Sequence, residues 1–468
     1  MKYKSNLLSV NRIIITPTAL QLERTNLIIE RARQLNPDLK IIYSTNQIPK
    51  LPTGLSAEQK QKYLNETLLL CTRSKGAPFI EIFASPGHIN ENIGTMGKIV
   101  SHCPFGCEFC YLQVAGRGTP WTRVYVDLER FREEAKKEEY AQKMYLTLWS
   151  AISFYKEETF QKVPQGFKNI CDNEIRKAVL SERNGINSHK IALEYLKSNL
   201  KKYFVELGIE IDETKYSKVI NNLTAYYNKN KNIPLWVNVS EYSDVLGLDH
   251  ITGTLDEILS WMEEDKNLRV NLRTKSPDVS SILKYKTLDR LIIQVDLNTN
   301  YSINHFQKNT FSLKDRIKAI NLLIAAGVNV RIVIEPIIKY KNFMKDYKNL
   351  ISIIEKKIDL SKVERFTIGC VRYKTRLMNH IKKVNPKTVL FNEDQKLIPP
   401  EKGDKRWRYS TEDRVNIYKA IINCLPQKHR KLIRLGAEDP SVWELLNLDR
   451  SIVHDGAVHQ YKNKRTSK

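Results

Sequence analysis

Apolar runs alternate with amphipathic stretches along the first 84 residues at the spacing of a small α/β unit. Arg12-Ile13-Ile14-Ile15-Thr16 predicts a strand closed by Pro17, Thr18 predicts the cap of an amphipathic helix to about Gln34, and Lys40-Ile41-Ile42-Tyr43 predicts a second strand. Two more apolar runs follow, Leu68-Leu69-Leu70 and Phe79-Ile80-Glu81-Ile82-Phe83. From Lys98 the rhythm changes. Ile99-Val100 runs straight into a loop of cysteines, and strand-like segments recur at Leu235 to Val239, Leu268 to Leu272, Leu291 to Val295, Val328 to Ile334 and Phe366 to Ile368. Helical patterns at Thr254 to Glu264, Ser312 to Ala326 and Met344 to Lys356 lie between the later ones. Strand and helix alternating in this way mean βαβ units and a parallel sheet. Six such strands are too few for a closed eightfold barrel. The expected fold class is therefore α/β, a partial (β/α)6 TIM-type barrel with its functional loops at the C-terminal strand ends.

Between Leu128 and Lys231 the strand signal almost vanishes, and helical patterns cover Asp127 to Tyr155, His189 to Leu207 and Lys215 to Asn228. This is a helical insertion between the first and second barrel strands. Its Lys201, Lys202, Lys215, Lys218, Tyr226 and Tyr227 fit either a nucleic-acid grip or a solvated helix face. Beyond Tyr373 the chain turns polar, becomes helical from Thr411 to Leu425, and ends its apolar pattern at Val442-Trp443-Glu444-Leu445-Leu446. The expected organisation is an N-terminal α/β domain over 1–84, the barrel over 85–127 and 232–375, the insertion over 128–231, a C-terminal region over 376–458 and a disordered basic tail over 459–468.

Charge changes the picture. Lys and Arg total 76 against 52 Asp and Glu, a formal +24. Such an excess favours a polyanionic partner, because cations that displace counterions from phosphates gain free energy. A basic solvated surface is the plainer alternative. No stretch has the length of a membrane span, and the run Leu7 to Ile15 is broken by Asn11 and Arg12, so neither a membrane partner nor a signal peptide is expected.

Seven cysteines are present, and three crowd into Cys103-Pro104-Phe105-Gly106-Cys107-Glu108-Phe109-Cys110-Tyr111. An odd count clustered this way does not build a disulfide framework; it suits a metal or cluster site in a reducing compartment, which points to the cytoplasm. Tetrahedral zinc wants four protein ligands, usually as two pairs, and an electron-transfer [4Fe–4S] centre wants four cysteines. Cys71, Cys171, Cys370 and Cys424 are scattered singly. Three thiolates leave one iron of a cluster open, which suits a centre that must coordinate a substrate or cofactor; structural zinc remains the rival reading.

The C-x-x-x-C-x-x-C spacing with an aromatic before the last cysteine is the signature of the radical S-adenosylmethionine (SAM) superfamily. Within it, Cys110-Tyr111-Leu112-Gln113 followed by Pro120 and Arg123-Val124-Tyr125-Val126 resembles the spore photoproduct lyase family. The resemblance continues through Ser243-Asp244-Val245-Leu246-Gly247-Leu248-Asp249-His250, Thr274-Lys275-Ser276-Pro277-Asp278-Val279, Asn309-Thr310-Phe311-Ser312-Leu313 with Arg316-Ile317, Ala326-Gly327, Glu335-Pro336-Ile337 and, faintly, Pro440-Ser441-Val442-Trp443. It implies a radical SAM barrel, a [4Fe–4S] cluster on Cys103, Cys107 and Cys110, and SAM on the open iron. In that family the adenosyl radical opens a thymine dimer of irradiated spore DNA, and a cysteine assisted by tyrosine returns hydrogen to the product.

By position, the resemblance implies that Ser243 and Lys275 hold the SAM carboxylate and ribose, and Lys275 has its own rationale as a fixed cation beside a carboxylate. Phe109 replaces a family tyrosine and keeps the stacking surface, Tyr111 carries the tyrosine role, and Asp296 falls where the family has a serine that contacts SAM. The donor cysteine of the family sits three residues before the Asp of the Ser-Asp pair, and here that position is Glu241. A carboxylic O–H bond is too strong to give hydrogen to a carbon radical, so Glu241 is assigned to the SAM amino group. Cys370, after the last predicted barrel strand, is the candidate substitute donor, against the plainer reading of a buried small hydrophobe. The implied partners are nucleic acid, DNA before RNA, and an external one-electron reductant such as flavodoxin or ferredoxin; a monomer is expected. A peptide or small-molecule substrate, and a non-catalytic nucleic-acid-binding protein with a structural metal, are the rival functions.

Overall fold

Short runs of branched and apolar residues build two sheets. The structure is a computed structural model and describes residues 10–83, 94–115, 120–155, 163–181, 185–286, 288–392, 395–399, 406–436 and 438–448; the tail predicted over 459–468 lies outside them. Strands β1 (Arg12–Ile15), β2 (Lys40–Tyr43) and β3 (Thr67–Cys71) come first, followed by β4 (Ile80–Phe83), β5 (Gly94–Gly97), β6 (Val100–Ser101) and β7 (Thr122–Tyr125). The smaller sheet runs β2-β1-β3-β7-β6, parallel except for the β6–β7 pair. Every residue of β3 is buried, as a central strand covered on both faces requires.

The larger sheet takes its remaining strands from β8 (Leu235–Asn238), β9 (Leu268–Thr274), β10 (Leu291–Asp296), β11 (Asn329–Ile337) and β12 (Val363–Cys370). A small antiparallel pair, β13 (Arg372–Tyr373) with β14 (Trp407–Arg408), follows, and β15 (Ile433–Leu435) closes the order β15-β12-β11-β10-β9-β8-β5-β4. All neighbours in it are parallel except β4–β5. The fold is thus a mixed α/β fold with two largely parallel sheets, and among the described residues neither sheet closes on itself. Helices Thr254–Glu264, Leu313–Ala325 and Phe343–Lys357 connect the strands at the positions the periodicity predicts.

Two expectations need correction. The strand that feeds the larger sheet ahead of the cysteines is β5, a Gly-Thr-Met-Gly segment without a hydrophobic signature, whereas Ile99-Val100 leads into β6 of the smaller sheet. β7, placed in the barrel by sequence, likewise pairs with β3. The first helix starts at Glu23 rather than after Thr18, because Thr18 spends its hydroxyl on Gln47 and Thr72 instead of capping.

The insertion folds around its own core, with Leu148, Phe167, Leu196, Tyr203 and Leu223 fully buried between helices Leu128–Tyr155, His189–Glu206 and Glu213–Asn230. Glu134 ties it to the β4 edge by accepting from the backbone N–H groups of Phe79 and Ile80, each at 2.9 Å. Two of its four singled-out lysines are engaged, Lys201 lying 2.8 Å from Glu213 and Lys202 2.6 Å from Glu174, and Tyr227 is buried against His189; Lys215 and Lys218 meet no carboxylate among the described residues. These contacts favour the solvated-face reading over the nucleic-acid grip. Among the described residues no helix is long and apolar enough to cross a membrane.

Candidate functional site

The cysteine loop leaves β6 through His102, which adopts a left-handed φ of 65°. Gly106 is also left-handed, at φ 56°, and a Cβ there would stand 2.4 Å from the Asn65 amide, so only glycine makes the turn against that neighbour. The N–H of Cys110 donates to the Cys107 carbonyl at 2.9 Å, and the N–H of Glu108 donates to the Phe306 carbonyl at 2.8 Å. Gln113, on the short helix after the loop, donates to the Cys107 carbonyl at 2.7 Å and the Glu108 carbonyl at 3.0 Å. The loop is therefore shaped by its own backbone and by Gln113. It gathers Cys103, Cys107, Cys110 and Phe109 into one small cluster with Phe105 and Phe311. Among the described residues no three His, Cys, Asp or Glu side chains converge on one point as a single tetrahedral ion would need. Burial pushes the Cys107 thiol up to about 12, against the pull of Lys275, and it raises Cys103 and Cys110 as well.

The facing wall is made by strand ends. Ser243 and Asp244 follow β8, and Asp244 caps helix Val245–Thr252 by accepting from the Gly247 N–H at 2.9 Å. The same carboxylate accepts from Thr274 Oγ1 and the Lys275 N–H, both at 2.7 Å, so the β8 loop is locked to the end of β9. Gly247 presses on the cysteine loop, since a Cβ there would stand 2.6 Å from the Phe105 ring.

Asp296, the last residue of β10, is completely buried. Arg273 donates to its Oδ2 at 2.7 Å, Lys275 Nζ lies 3.3 Å from that oxygen, and Arg316 Nη1 is 3.7 Å from Oδ1, which has no hydrogen bond. Arg273 and Lys275 point the same way because alternate strand positions share a face. Arg316 also donates to the Phe311 carbonyl at 3.0 Å, which sets Phe311 edge-on to Phe105 at 5.9 Å. Glu335, at the end of β11, is bonded by Arg273 at 3.1 Å and Arg372 at 2.9 Å. Burial alone pushes its carboxyl up; the Arg372 and Arg273 guanidiniums outweigh that and hold it near 2.

Most of the residues singled out by sequence meet here. Ser243 is buried and its hydroxyl has no partner. Glu241 is half-buried, its carbonyl accepts from the Tyr111 hydroxyl at 3.0 Å, and burial, opposed by Arg273, raises its carboxyl to about 7. Cys370 does not belong. Gly369 faces Glu335, so the next residue on β12 turns its side chain to the opposite face. Cys370 packs there against Tyr418 of helix Thr411–Cys424, and its N–H donates to the Tyr418 hydroxyl at 2.8 Å. The donor assignment for Cys370 is corrected on that ground: it is a buried core residue. Arg273 and Arg372 escaped sequence reasoning, and Arg316 and Glu335 entered it only as positions of the family resemblance, without a role. The period-2 spacing of Arg273 from Lys275 is the one local signal that points to Arg273.

A family model described as spore photoproduct lyase matches residues 192–431, more than half of the chain. The spore photoproduct lyase of Clostridium acetobutylicum is 24% identical over 225 residues, which are 48% of this chain and 65% of that protein. That of a Geobacillus species is 24% identical over 156 residues, 33% of this chain and 46% of its own length. The chain thus matches less than two thirds of these relatives. A structure of spore photoproduct lyase complexed with dinucleoside spore photoproduct shares the fold at TM-score 0.59 and 17% identity, over 92% of this chain and 98% of that one. A double mutant of the lyase with bound AdoMet and dinucleoside spore photoproduct does so at TM-score 0.58 and 17% identity, over 92% and 99%. The extent of the family match and the common fold lead to one assignment: the chain belongs to the spore photoproduct lyase family.

Proposed function

We propose that this chain is a radical SAM enzyme that acts on a nucleic-acid base, with a [4Fe–4S] cluster on Cys103, Cys107 and Cys110 and SAM on the remaining iron. The observation that carries the reading is the pairing of the cysteine loop with a cationic wall: Cys107 lies within electrostatic reach of Lys275, Asp296 and Arg316. The donor set fits. Cys103, Cys107 and Cys110 lie in one small side-chain cluster, which offers one thiolate to each of three irons. When bound, the two cofactors supply a 5′-deoxyadenosyl radical that takes hydrogen from a substrate carbon.

The protein's own residues have distinct tasks. Lys275 balances the SAM carboxylate, and the unpartnered Ser243 hydroxyl supplies a donor in the same wall. Asp296 keeps Lys275 and Arg273 in place through Oδ2 and leaves Oδ1 for a ribose hydroxyl. Phe109 lends a stacking face, and Glu241 meets the SAM amino group. The larger sheet acts as an open partial barrel whose C-terminal strand ends carry Glu241, Ser243, Lys275 and Asp296, while Phe109 comes from the loop after β6 of the smaller sheet.

The substrate class rests on the dinucleoside spore photoproduct with which structural neighbours are complexed and on the net charge of +24. The closing hydrogen transfer differs from the family pattern. Cys370 faces away, Cys71 lies on β3 of the other sheet, Cys171 is in the insertion core, and Cys424 bonds the Ala420 carbonyl on its own helix. A non-cysteine donor follows, and Tyr111, whose hydroxyl lies 3.0 Å from the Glu241 carbonyl, is the candidate this reading takes. The test is anaerobic reconstitution with iron and sulfide, then incubation with SAM, dithionite and irradiated DNA, followed by product mass spectrometry. The expected products are 5′-deoxyadenosine and a modified or repaired base. Zinc in place of iron with no SAM cleavage, or full activity in Cys107→Ala, sinks the reading.

A further inference from the structure

Between Phe366 and Asn392 the chain contains no Asp or Glu and six Lys or Arg. Helix Thr375–Val384 occupies the middle of this run and packs against two elements of the cysteine-loop neighbourhood. One is helix Leu112–Ala115, which begins two residues after Cys110; the other is helix Ala57–Asn65, whose last residue abuts Gly106. Leu377 and Ile381 anchor the helix in the core, which leaves Lys374, Arg376, Lys383 and Lys387 exposed beside the candidate site.

Some helix lysines elsewhere are neutralised, although Lys215 and Lys218 of the insertion and Lys345 and Lys348 of helix Phe343–Lys357 have no carboxylate partner among the described residues either; what sets this strip apart is its place beside the cysteine loop. In the insertion, Lys197, Lys201 and Lys202 each meet a carboxylate, at 3.2, 2.8 and 2.6 Å. Among the described residues no carboxylate pairs with Lys374, Arg376, Lys383 or Lys387. Helix stability explains only part of the set. Lys383 in the last turn complements the macrodipole, but Lys374 and Arg376 sit at the N-terminal end, where the dipole repels positive charge. The field they create is felt locally: His380 is held below its ordinary pKa by burial and then by Lys383 and Arg376. Unneutralised cations held in an unfavourable place fit an anionic partner that supplies the missing charge.

We propose that this strip, Lys374, Arg376, Lys383 and Lys387, carries the phosphate backbone of the nucleic acid whose base enters the neighbouring site. It rests on the nucleic-acid reading above. The helix is about 15 Å long, enough to follow a few consecutive phosphates of one strand.

The test uses the full chain and a fluorescein-labelled thymine-rich oligonucleotide, single-stranded and duplex, titrated by anisotropy over a salt series. The combined variant Lys374→Gln, Arg376→Gln, Lys383→Gln, Lys387→Gln alters exposed positions only, and circular dichroism checks its fold. The expected result is an affinity loss of about tenfold or more at low salt, with a shallower salt slope, by about one per phosphate contact removed. The insertion pair Lys201→Gln, Lys202→Gln is expected to bind as wild type. If wild type binds and the strip variant binds equally with the same slope, the strip is wrong and the nucleic-acid reading stands. If wild type binds neither form, both fall. Intact nucleic-acid binding with lost reduction by an acidic flavodoxin would overturn the proposal and reassign the strip to electron-carrier docking.

Discussion

Lys275 Nζ lies 3.3 Å from Asp296 Oδ2, and this contact joins the ends of the adjacent strands β9 and β10. Asp296 is fully buried, and with Arg273 and Arg316 also against it, one carboxylate serves three cations. Such an arrangement is worth little as a salt bridge alone, because desolvation offsets most of the attraction. Its value lies in holding positive charge at fixed points that a carboxylate ligand can use.

Lys275→Met should therefore weaken SAM binding by about tenfold or more while iron content after reconstitution is unchanged, since the loop is shaped by its own backbone and Gln113. Calorimetric titration of the variant with SAM is the measurement. An unchanged affinity removes Lys275 from the site. Asp296→Ala should behave differently: Arg273 keeps Glu335, but Lys275 and the fully buried Arg316 lose the only carboxylate they pair with among the described residues, which should cost about 3–5 kcal/mol of stability, read from a denaturant melt.

Gly247→Ala tests how the β8 loop supports the cysteines. The added Cβ would stand 2.6 Å from Phe105 Cζ and 2.8 Å from Cε2, inside the small cluster that contains the thiols. Overpacking of this kind costs about 1–3 kcal/mol. Because Phe105 lies between Cys103 and Cys107, the variant should also take up less iron than wild type. Full iron loading with an unaltered melt would show that the contact yields freely.

The parts of the molecule legible in the sequence are those where local pattern and tertiary role coincide. β9 to β12 read as strands because β-branched runs are buried on both faces, and helix Thr254–Glu264 reads to the residue because a left-handed Gly253 sets its start. β5 was not legible: Gly-Thr-Met-Gly is a strand only because β4 and β8 flank it. The site divides the same way. Cys103, Cys107 and Cys110 are adjacent in sequence and self-announcing, whereas the union of Arg273, Asp296, Arg316 and Glu335 exists only once three strand ends and a helix meet. Cys370 shows the remaining hazard. The sequence places it just after a strand, whereas it is the last residue of β12, and one residue of register turns its side chain to the other face.

Glu335 gives the network a pH signature. Its folded pKa, near 2, lies below the ordinary 4.5, so its contribution is complete above about pH 4.5 and is lost as the pH falls from there toward 2. The shift corresponds to about 3 kcal/mol. Wild type should lose stability steeply over that acid window. Glu335→Gln should be less stable at neutral pH and should show a flatter acid limb in urea melts. Parallel acid limbs in the two proteins would mean that Glu335 is not held by Arg273 and Arg372.

The last prediction concerns the missing hydrogen donor. By the proposed family correspondence Glu241 stands at the donor-cysteine position; its carbonyl is held by the Tyr111 hydroxyl at 3.0 Å and Asn238 Nδ2 lies 3.4 Å from its carboxyl. With a carboxyl raised to about 7 it is partly protonated at neutral pH, yet its O–H bond is too strong to quench a carbon radical. Glu241→Cys places a weak S–H bond at the same point while the backbone contact to Tyr111 is unaffected. Glu241→Cys gives up the proposed contact to the SAM amino group and should need more SAM, but at saturating SAM the reconstituted variant should still cleave it and should raise the yield of repaired thymine from irradiated DNA by about tenfold over wild type, a lowering of roughly 1.4 kcal/mol in the barrier to the closing step. Glu241→Ser, with a strong O–H bond, should not. Cys370→Ala should leave the product distribution as in wild type, because that sulfur packs with Tyr418 on the other face of β12. Identical products from Glu241→Cys and wild type would mean that this chain closes its reaction by another route than hydrogen return at this position, and a changed product in Cys370→Ala would return Cys370 to the site.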